Sequence, residues 1–234
     1  MAHNTLILLP AFNEAATLPL VLQAVKSAAP DCDILVINDG SRDRTAECAI
    51  EGGATVCTHR FNMGYGVALQ TGYKYALRHG YRFAVQMDAD GQHEAEDIGR
   101  LLDRVQGDSC DLCIGSRFLE GTPYAIPFSR KVGMYFFRRI ASIILGQTIT
   151  DPTSGFQAMN RHVIEFFARD SYPVDYPDTD VLVMLHRHGF RVSEAPVRMR
   201  AGIPGHTMHG GMRPLYYLFR MSLDIPMNLV RKER

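Results

Sequence analysis

The sequence predicts an α/β fold: a mostly parallel sheet flanked by helices and followed by amphipathic helices at its C-terminal end. Three observations predict it. Short runs dense in Ile, Leu and Val recur along the first half of the chain, as in strands buried on both faces. Stretches of helix length, with apolar residues near 3.6-residue spacing, separate them. The composition, 46% hydrophobic and 21% charged over 234 residues, provides for one compact domain with a full core and excludes disorder and collagen-like repeats.

The run LILLP at 6–10 opens the sheet, and Glu14–Ala29 follows it as a crossover helix. DILVIND at 33–39 and ATVCTH at 54–59 are the next strands, joined by the helix Arg44–Glu51. Gly66–His79 leads into FAVQMDAD at 83–90, and Glu96–Gln106 into DLCIGSRF at 111–118. This alternation implies right-handed crossovers and a ligand site at the carboxyl ends of the strands. The second half is less regular. Pro127–Leu145 reads as a helix with Arg130, Lys131, Arg138 and Arg139 on or near one side, Asp178–His188 as a further helix, and Arg191–Pro196 as a short strand. A Gly/Pro-rich loop over 201–211 precedes an amphipathic helix, Arg213–Arg234. The expected organisation is one domain over 1–212, with halves 1–118 and 119–212, and a C-terminal helix over 213–234.

Twenty-five basic residues balance twenty-five acidic ones, which argues against nucleic acid as a general partner. The balance hides an asymmetry: residues 1–112 carry 9 basic and 15 acidic side chains, residues 113–234 carry 16 and 10. The opening MAHNTLILLPAFNE has no basic segment before its short apolar run and reads as a mature strand rather than a signal peptide. No stretch reaches the roughly 18 consecutive apolar residues of a membrane span. Five cysteines without an export signal read as reduced thiols of a cytosolic protein, and Cys110 and Cys113 form a lone CxxC with no second pair to complete a zinc knuckle.

The first strand ends in Pro10-Ala11-Phe12-Asn13-Glu14 rather than a GxGxxG turn, so a dinucleotide site has no fingerprint here. The second ends in Asn38-Asp39-Gly40-Ser41. Its carboxylate can accept from a ribose or a base N–H, although taken alone the segment reads as a plain Asp-Gly turn. The fourth ends in MDADGQH at 87–93. Asp88 and Asp90, with the Gln92 amide two residues on, offer hard oxygen ligands of the kind Mg²⁺ or Mn²⁺ prefers. Without a cation, the clustered charges would raise one carboxyl pKa. A solvated acidic turn is the plainer alternative.

LPAFNE, VINDGS, the Asn62-Met63-Gly64-Tyr65-Gly66 turn, MDADGQH, IGSRF and DPTSGF, in this order, resemble the family 2 glycosyltransferases of GT-A (Rossmann-like) fold, the polyprenyl-phosphate sugar transferases of dolichol-phosphate mannose synthase type above all. The resemblance covers roughly 5–210. It implies a nucleotide-sugar half over 1–118 and an acceptor half over 119–212. Pro10, Phe12, Glu14, Asp39, Asn62, Gly66 and Asp88 would bind a GDP- or UDP-linked sugar, and Asp88, Asp90 and Gln92 would hold Mg²⁺ or Mn²⁺. Arg117 would meet phosphate oxygens as a planar donor fork. Arg130, with Lys131 as alternative, is the candidate for the acceptor phosphate, and Ser154 belongs to a motif that shapes the sugar and acceptor pocket.

Relatives commonly carry an Arg three residues before a Gly after the Pro-Val strand, whereas here Gly202 precedes Gly205. Arg198 or Arg200 could substitute, and His206 or His209 could approach the diphosphate. The implied activity is inverting, metal-dependent transfer of a hexose-type sugar to polyprenyl phosphate at the cytoplasmic membrane surface, with interfacial helices at 127–145 and 213–234. Relatives often carry C-terminal transmembrane helices, which leaves room for a separate integral membrane partner. One rival is a soluble transferase to a saccharide hydroxyl, for which Asp178 and Asp180 are the base candidates. The other is a non-catalytic nucleotide-sugar-binding regulatory subunit.

Overall fold

In a computed structural model, described over residues 3–119, 138–173 and 179–200, a seven-stranded sheet lies between two helical layers. Its strands are β1 (Thr5–Ala11), β2 (Asp33–Asn38), β3 (Thr55–Thr58), β4 (Phe83–Gln86), β5 (Leu112–Ser116), β6 (Gln157–Asn160) and β7 (Val192–Pro196), in the order β3-β2-β1-β4-β6-β5-β7. All neighbours pair in parallel except β6, which runs antiparallel to both β4 and β5. The helices are α1 (Leu18–Ala28), α2 (Thr45–Glu51), α3 (Tyr65–Arg78), α4 (Ile98–Gln106), helical residues 138–145 (α5), α6 (Arg161–Phe167) and α7 (Thr179–Arg187).

Strand alternation divides the core between the two faces. Leu6 and Leu8 of β1 pack with Leu35 and Ile37 of β2 against α3, α6 and α7, through Leu69, Tyr73, Val163, Phe167, Leu182 and Leu185. Ile7 and Leu9 face the other way with Ile34 and Val36, against Leu18, Val21 and Leu22 of α1 and Ile98, Leu101 and Val105 of α4. Every β1 side chain is buried, which explains its unbroken apolar run. Each such Leu or Ile contributes about 1.5–3 kcal/mol over an exposed one.

The expected fold class holds, as do the existence and order of the first nine elements, with two differences. The strand expected over 83–90 stops at Gln86, opposite Gln157, the first residue of β6, which supplies no partner beyond that point. The chain therefore leaves the sheet before Asp88, and both acidic residues sit in a loop rather than on a strand. The second difference is β6 with α6, which the sequence reading did not include. Gln157-Ala158-Met159-Asn160 is short and half polar, and only its place between β4 and β5 buries it. Arg130, Lys131 and the expected helix over 213–234, with the 201–211 loop and its histidines, lie outside the described residues. Among the described residues, no helix is long and apolar enough to cross a membrane.

Candidate active site

The carboxyl ends of β1, β2, β4 and β5 bring together most of the residues expected there. After β2, Asp39 is almost fully buried and engaged by protein donors. Its Oδ1 accepts from the Met63 N–H at 2.9 Å and lies 2.7 Å from His59 Nδ1, and its Oδ2 accepts from the Gly64 N–H at 2.9 Å. Gly40, at φ +69°, permits this closure: a Cβ there would lie 2.4 Å from the Phe61 backbone carbon. Asp39 thus anchors the turn carrying Asn62 and Gly66, with Asn62 exposed and Gly66 buried in the first turn of α3. Pro10 is buried in β1, while the Phe12 ring stands 43% exposed at the strand's end, open to a planar ligand. Glu14 takes the Thr17 hydroxyl on Oε2 at 2.7 Å and donates its N–H to Thr45 Oγ1.

After β4, Asp88 Oδ1 accepts from the Tyr65 hydroxyl at 2.8 Å, and Oδ2 lies 3.4 Å from His93 Nε2. Burial pushes the Asp88 carboxyl up, but the His93 and Tyr65 contacts and the Arg117 charge outweigh it and hold the group below the ordinary aspartate value. Asp90 shifts the other way, raised first by burial and then by the charge of Asp88. Its partners are local: the Gln92 N–H to Oδ1 at 3.0 Å and the Gln92 amide nitrogen to Oδ2 at 2.6 Å. In this arrangement Gln92 supports Asp90 as a donor instead of turning its oxygen outward.

Whether these residues fit a divalent cation is answered by their chemistry. Two carboxylates in one loop, one raised by burial and by its neighbour's charge, form a hard-oxygen donor set whose repulsion a cation removes. Among the described residues no group of three or more His, Cys, Asp or Glu converges. The pair alone suits the kind of site that substrate phosphates and water complete.

Arg117, after β5, forms a bidentate ion pair with Asp151, Nε to Oδ2 and an amino nitrogen to Oδ1, each 2.6 Å, and its own N–H reaches Oδ2 at 3.1 Å. Asp151 is fully buried, and Glu194 takes the Thr150 and Asp151 N–H groups beneath it. The guanidinium is therefore fixed within electrostatic reach of Asp88. Ser154 is buried, its Oγ accepting from the Phe156 N–H at 3.3 Å. Asp180 is buried in the first turn of α7. Arg200 pairs with Glu94 at 2.6 and 2.7 Å, and its N–H donates to the Gln92 carbonyl at 2.7 Å, so it braces the 90–94 loop.

The model of Glycosyl transferase family 2 matches residues 6–167. The chain belongs to this family. Its relatives include the polyprenol monophosphomannose synthase of Mycolicibacterium smegmatis, 36% identical over 83% of this chain and 77% of that protein. The undecaprenyl-phosphate mannosyltransferase of Micrococcus luteus is 34% identical over 88% of this chain and 91% of its own length. Among solved structures, glucosyl-3-phosphoglycerate synthase from Mycobacterium tuberculosis, crystallised with Mn²⁺, UDP and phosphoglyceric acid, superposes with a TM-score of 0.71 at 18% identity over 99% of this chain and 80% of that one. That likeness establishes the GT-A fold. The chain is thus a glycosyltransferase.

Three residues of this family 2 site escaped the sequence reading or gained a different role in the structure. Tyr65, within the Asn62–Gly66 turn, touches Asp88. His93, at the end of MDADGQH, is buried against Phe156 with ring centroids 5.0 Å apart. Asp151, the first residue of DPTSGF, holds Arg117. Tyr65 and His93 both lay inside motifs already singled out, but nothing in a linear motif says which neighbour faces a carboxylate.

Proposed function

We propose that this family 2 enzyme is a metal-dependent, inverting glycosyltransferase. It moves a hexose-type sugar from a GDP- or UDP-linked donor to polyprenyl phosphate, as a peripheral protein on the cytoplasmic face of the membrane. The observation that carries the proposal is the juxtaposition of an open acidic pair, Asp88 and Asp90, with the fixed guanidinium of Arg117. Such a site has a place for a cation and a separate place for phosphate. The two mannosyltransferase relatives, matched over most of their lengths, favour a polyprenyl-phosphate acceptor.

Asp88 and Asp90 would hold Mg²⁺ or Mn²⁺. When bound there, the cation would stabilise the charge that develops on the departing nucleoside diphosphate. The Phe12 ring and the turn anchored by Asp39 would receive the nucleoside. Because Asp151 orders Arg117 in advance, that side chain meets phosphate oxygens without a separate reorganisation cost. A lipid phosphate is already an anion and calls for cationic clamping rather than deprotonation, and Arg130 is proposed to share that task. The burial of Asp180 accords with a reaction that needs no carboxylate base.

Purified protein supplied with Mn²⁺ or Mg²⁺, undecaprenyl phosphate and a panel of GDP- and UDP-sugars tests this by product analysis. Glycosylated lipid phosphate is the expected product. Transfer only to non-lipid hydroxyls would overturn the acceptor, and full activity in EDTA would overturn the metal.

A further inference from the structure

Beneath the Asp88 loop runs a line of polar side chains that the proposed reaction does not use. The Tyr65 hydroxyl donates to Asp88 Oδ1 at 2.8 Å, and the Gln86 amide nitrogen donates to the Tyr65 oxygen at 3.2 Å. The Tyr73 hydroxyl donates to Gln86 Oε1, and the Tyr172 ring packs edge-on against that of Tyr73, with centroids 5.4 Å apart. Gln86, Tyr73 and Tyr172 are all buried. The hydrogen-bonded members come from two elements: Tyr65 and Tyr73 from α3, and Gln86 from the end of β4.

The order of donors along this line has only one consistent direction. A hydroxyl has a single hydrogen. An ionised carboxylate can only accept, so the Tyr65 hydrogen goes to Asp88 and the Tyr65 oxygen accepts from Gln86. With the Gln86 amide nitrogen turned towards Tyr65, its Oε1 is left to take the Tyr73 hydrogen. Burial pushes the Tyr73 phenol up, so it does not ionise near neutral pH to reverse the sequence. Gly155 adds a steric element, since a Cβ there would lie 3.0 Å from both Asp88 Oδ2 and the Tyr65 hydroxyl.

We infer that Tyr73, Gln86 and Tyr65 form a one-way hydrogen-bond relay that positions Asp88. The relay occupies Oδ1 with a fixed donor and so sets the carboxylate plane, with Oδ2 3.4 Å from His93 Nε2. Tyr65 is a positioning residue, acting through Asp88. This inference rests on the metal reading above and adds the residues that preorganise its ligand. Bonds aligned head to tail polarise one another, and partners that orient a ligating group commonly change metal affinity by about 10–100-fold when removed.

The test titrates Mn²⁺ into the full chain, followed by the electron paramagnetic resonance signal of the free ion, in the presence of saturating UDP or GDP. Tyr65→Phe is expected to weaken Mn²⁺ binding about tenfold or more, Tyr73→Phe by a smaller factor, and Tyr75→Phe, on the same helix but outside the relay, not at all. Melting curves in EDTA show whether each variant is folded at the titration temperature. Wild-type affinity in a folded Tyr65→Phe protein would overturn the inference, as would an equal loss in Tyr75→Phe. If the wild type takes up no Mn²⁺, the metal reading itself fails. If the wild type binds and Asp90→Ala does not, that reading stands and the Tyr65→Phe result alone decides the relay.

Discussion

The ends of β2 and β4 carry aspartates in comparable places, yet their surroundings differ in one respect. Asp39 is met by two backbone N–H groups and the His59 ring, all from the protein. Among the described residues, Asp90 is hydrogen-bonded by Gln92 alone, two residues along its own loop, and faces the like charge of Asp88. A carboxylate whose oxygens are taken by the fold is first an anchor. One left short of donors, with its carboxyl pushed up, is a candidate to take a ligand from outside.

The comparison is broken most directly at its open end. Asp90→Ala is expected to lower metal-dependent turnover by about 10²–10³-fold, the scale of losing one preorganised charge-stabilising group. Its melting temperature should stay close to wild type. Unchanged turnover in Mn²⁺ would mean that Asp90 holds no cation.

At the anchored end the largest effect should fall on stability instead. Asp39→Ala leaves two backbone N–H groups and His59 without their acceptor, at about 1–3 kcal/mol for each buried donor left unpaired. We expect a loss of about 2–4 kcal/mol in urea unfolding, together with weaker nucleotide binding as the 59–66 turn loosens. A variant that binds nucleotide poorly but unfolds like wild type would make Asp39 chiefly a ligand residue.

Gly155→Ala probes the space between the regions. Its new methyl would press on Asp88 and Tyr65, both side-chain tips that can yield a few tenths of an ångström. Mn²⁺ affinity should therefore fall by several-fold to about tenfold, at the low end for an outer-sphere change, with little change in melting temperature.

The smallest effect is a difference in pH dependence without metal. Asp90, raised in the folded state by burial and by Asp88, holds its proton at higher pH than the unfolded chain does. Its contribution therefore disfavours folding above the raised value and is relieved as pH falls through that value towards the ordinary one. Asp88, held low despite burial by His93, Tyr65 and Arg117, has the opposite sign: its stabilisation is present above the ordinary aspartate value and lost as pH falls through its lowered one. In EDTA, Asp90→Asn should be more stable than wild type at pH 7, with the advantage shrinking by pH 4. Equal stability at both, measured by urea titration, would place Asp90 in water-like surroundings.

How much of this was legible depended on whether a residue's role is local. β1, β2 and α4 could be read directly, because an unbroken apolar run or a stripe at i, i+3, i+4 is itself the record of burial. The acidic pair was legible for the same reason, two carboxylates after an apolar run. β6 was not: Gln157 and Asn160 are polar, and the only local cue is Asn160, whose side chain accepts from the Val163 N–H and caps α6. Arg117 was found from its strand-end position, but its rigidity comes from Asp151, 34 residues away and fully buried.

The sequence by itself determined the alternating α/β architecture, the strand ends at which the chemistry gathers, and the residue types available there. Periodicity and motif order are short-range properties, written along the chain. Only the tertiary structure decided which carboxylate is saturated and which is open, that Arg117 is locked to Asp151, and that Tyr65 turns its hydroxyl to Asp88. The pairings of Asp39, Arg117 and Tyr65 join segments distant along the chain, and in each the carboxylate can only accept.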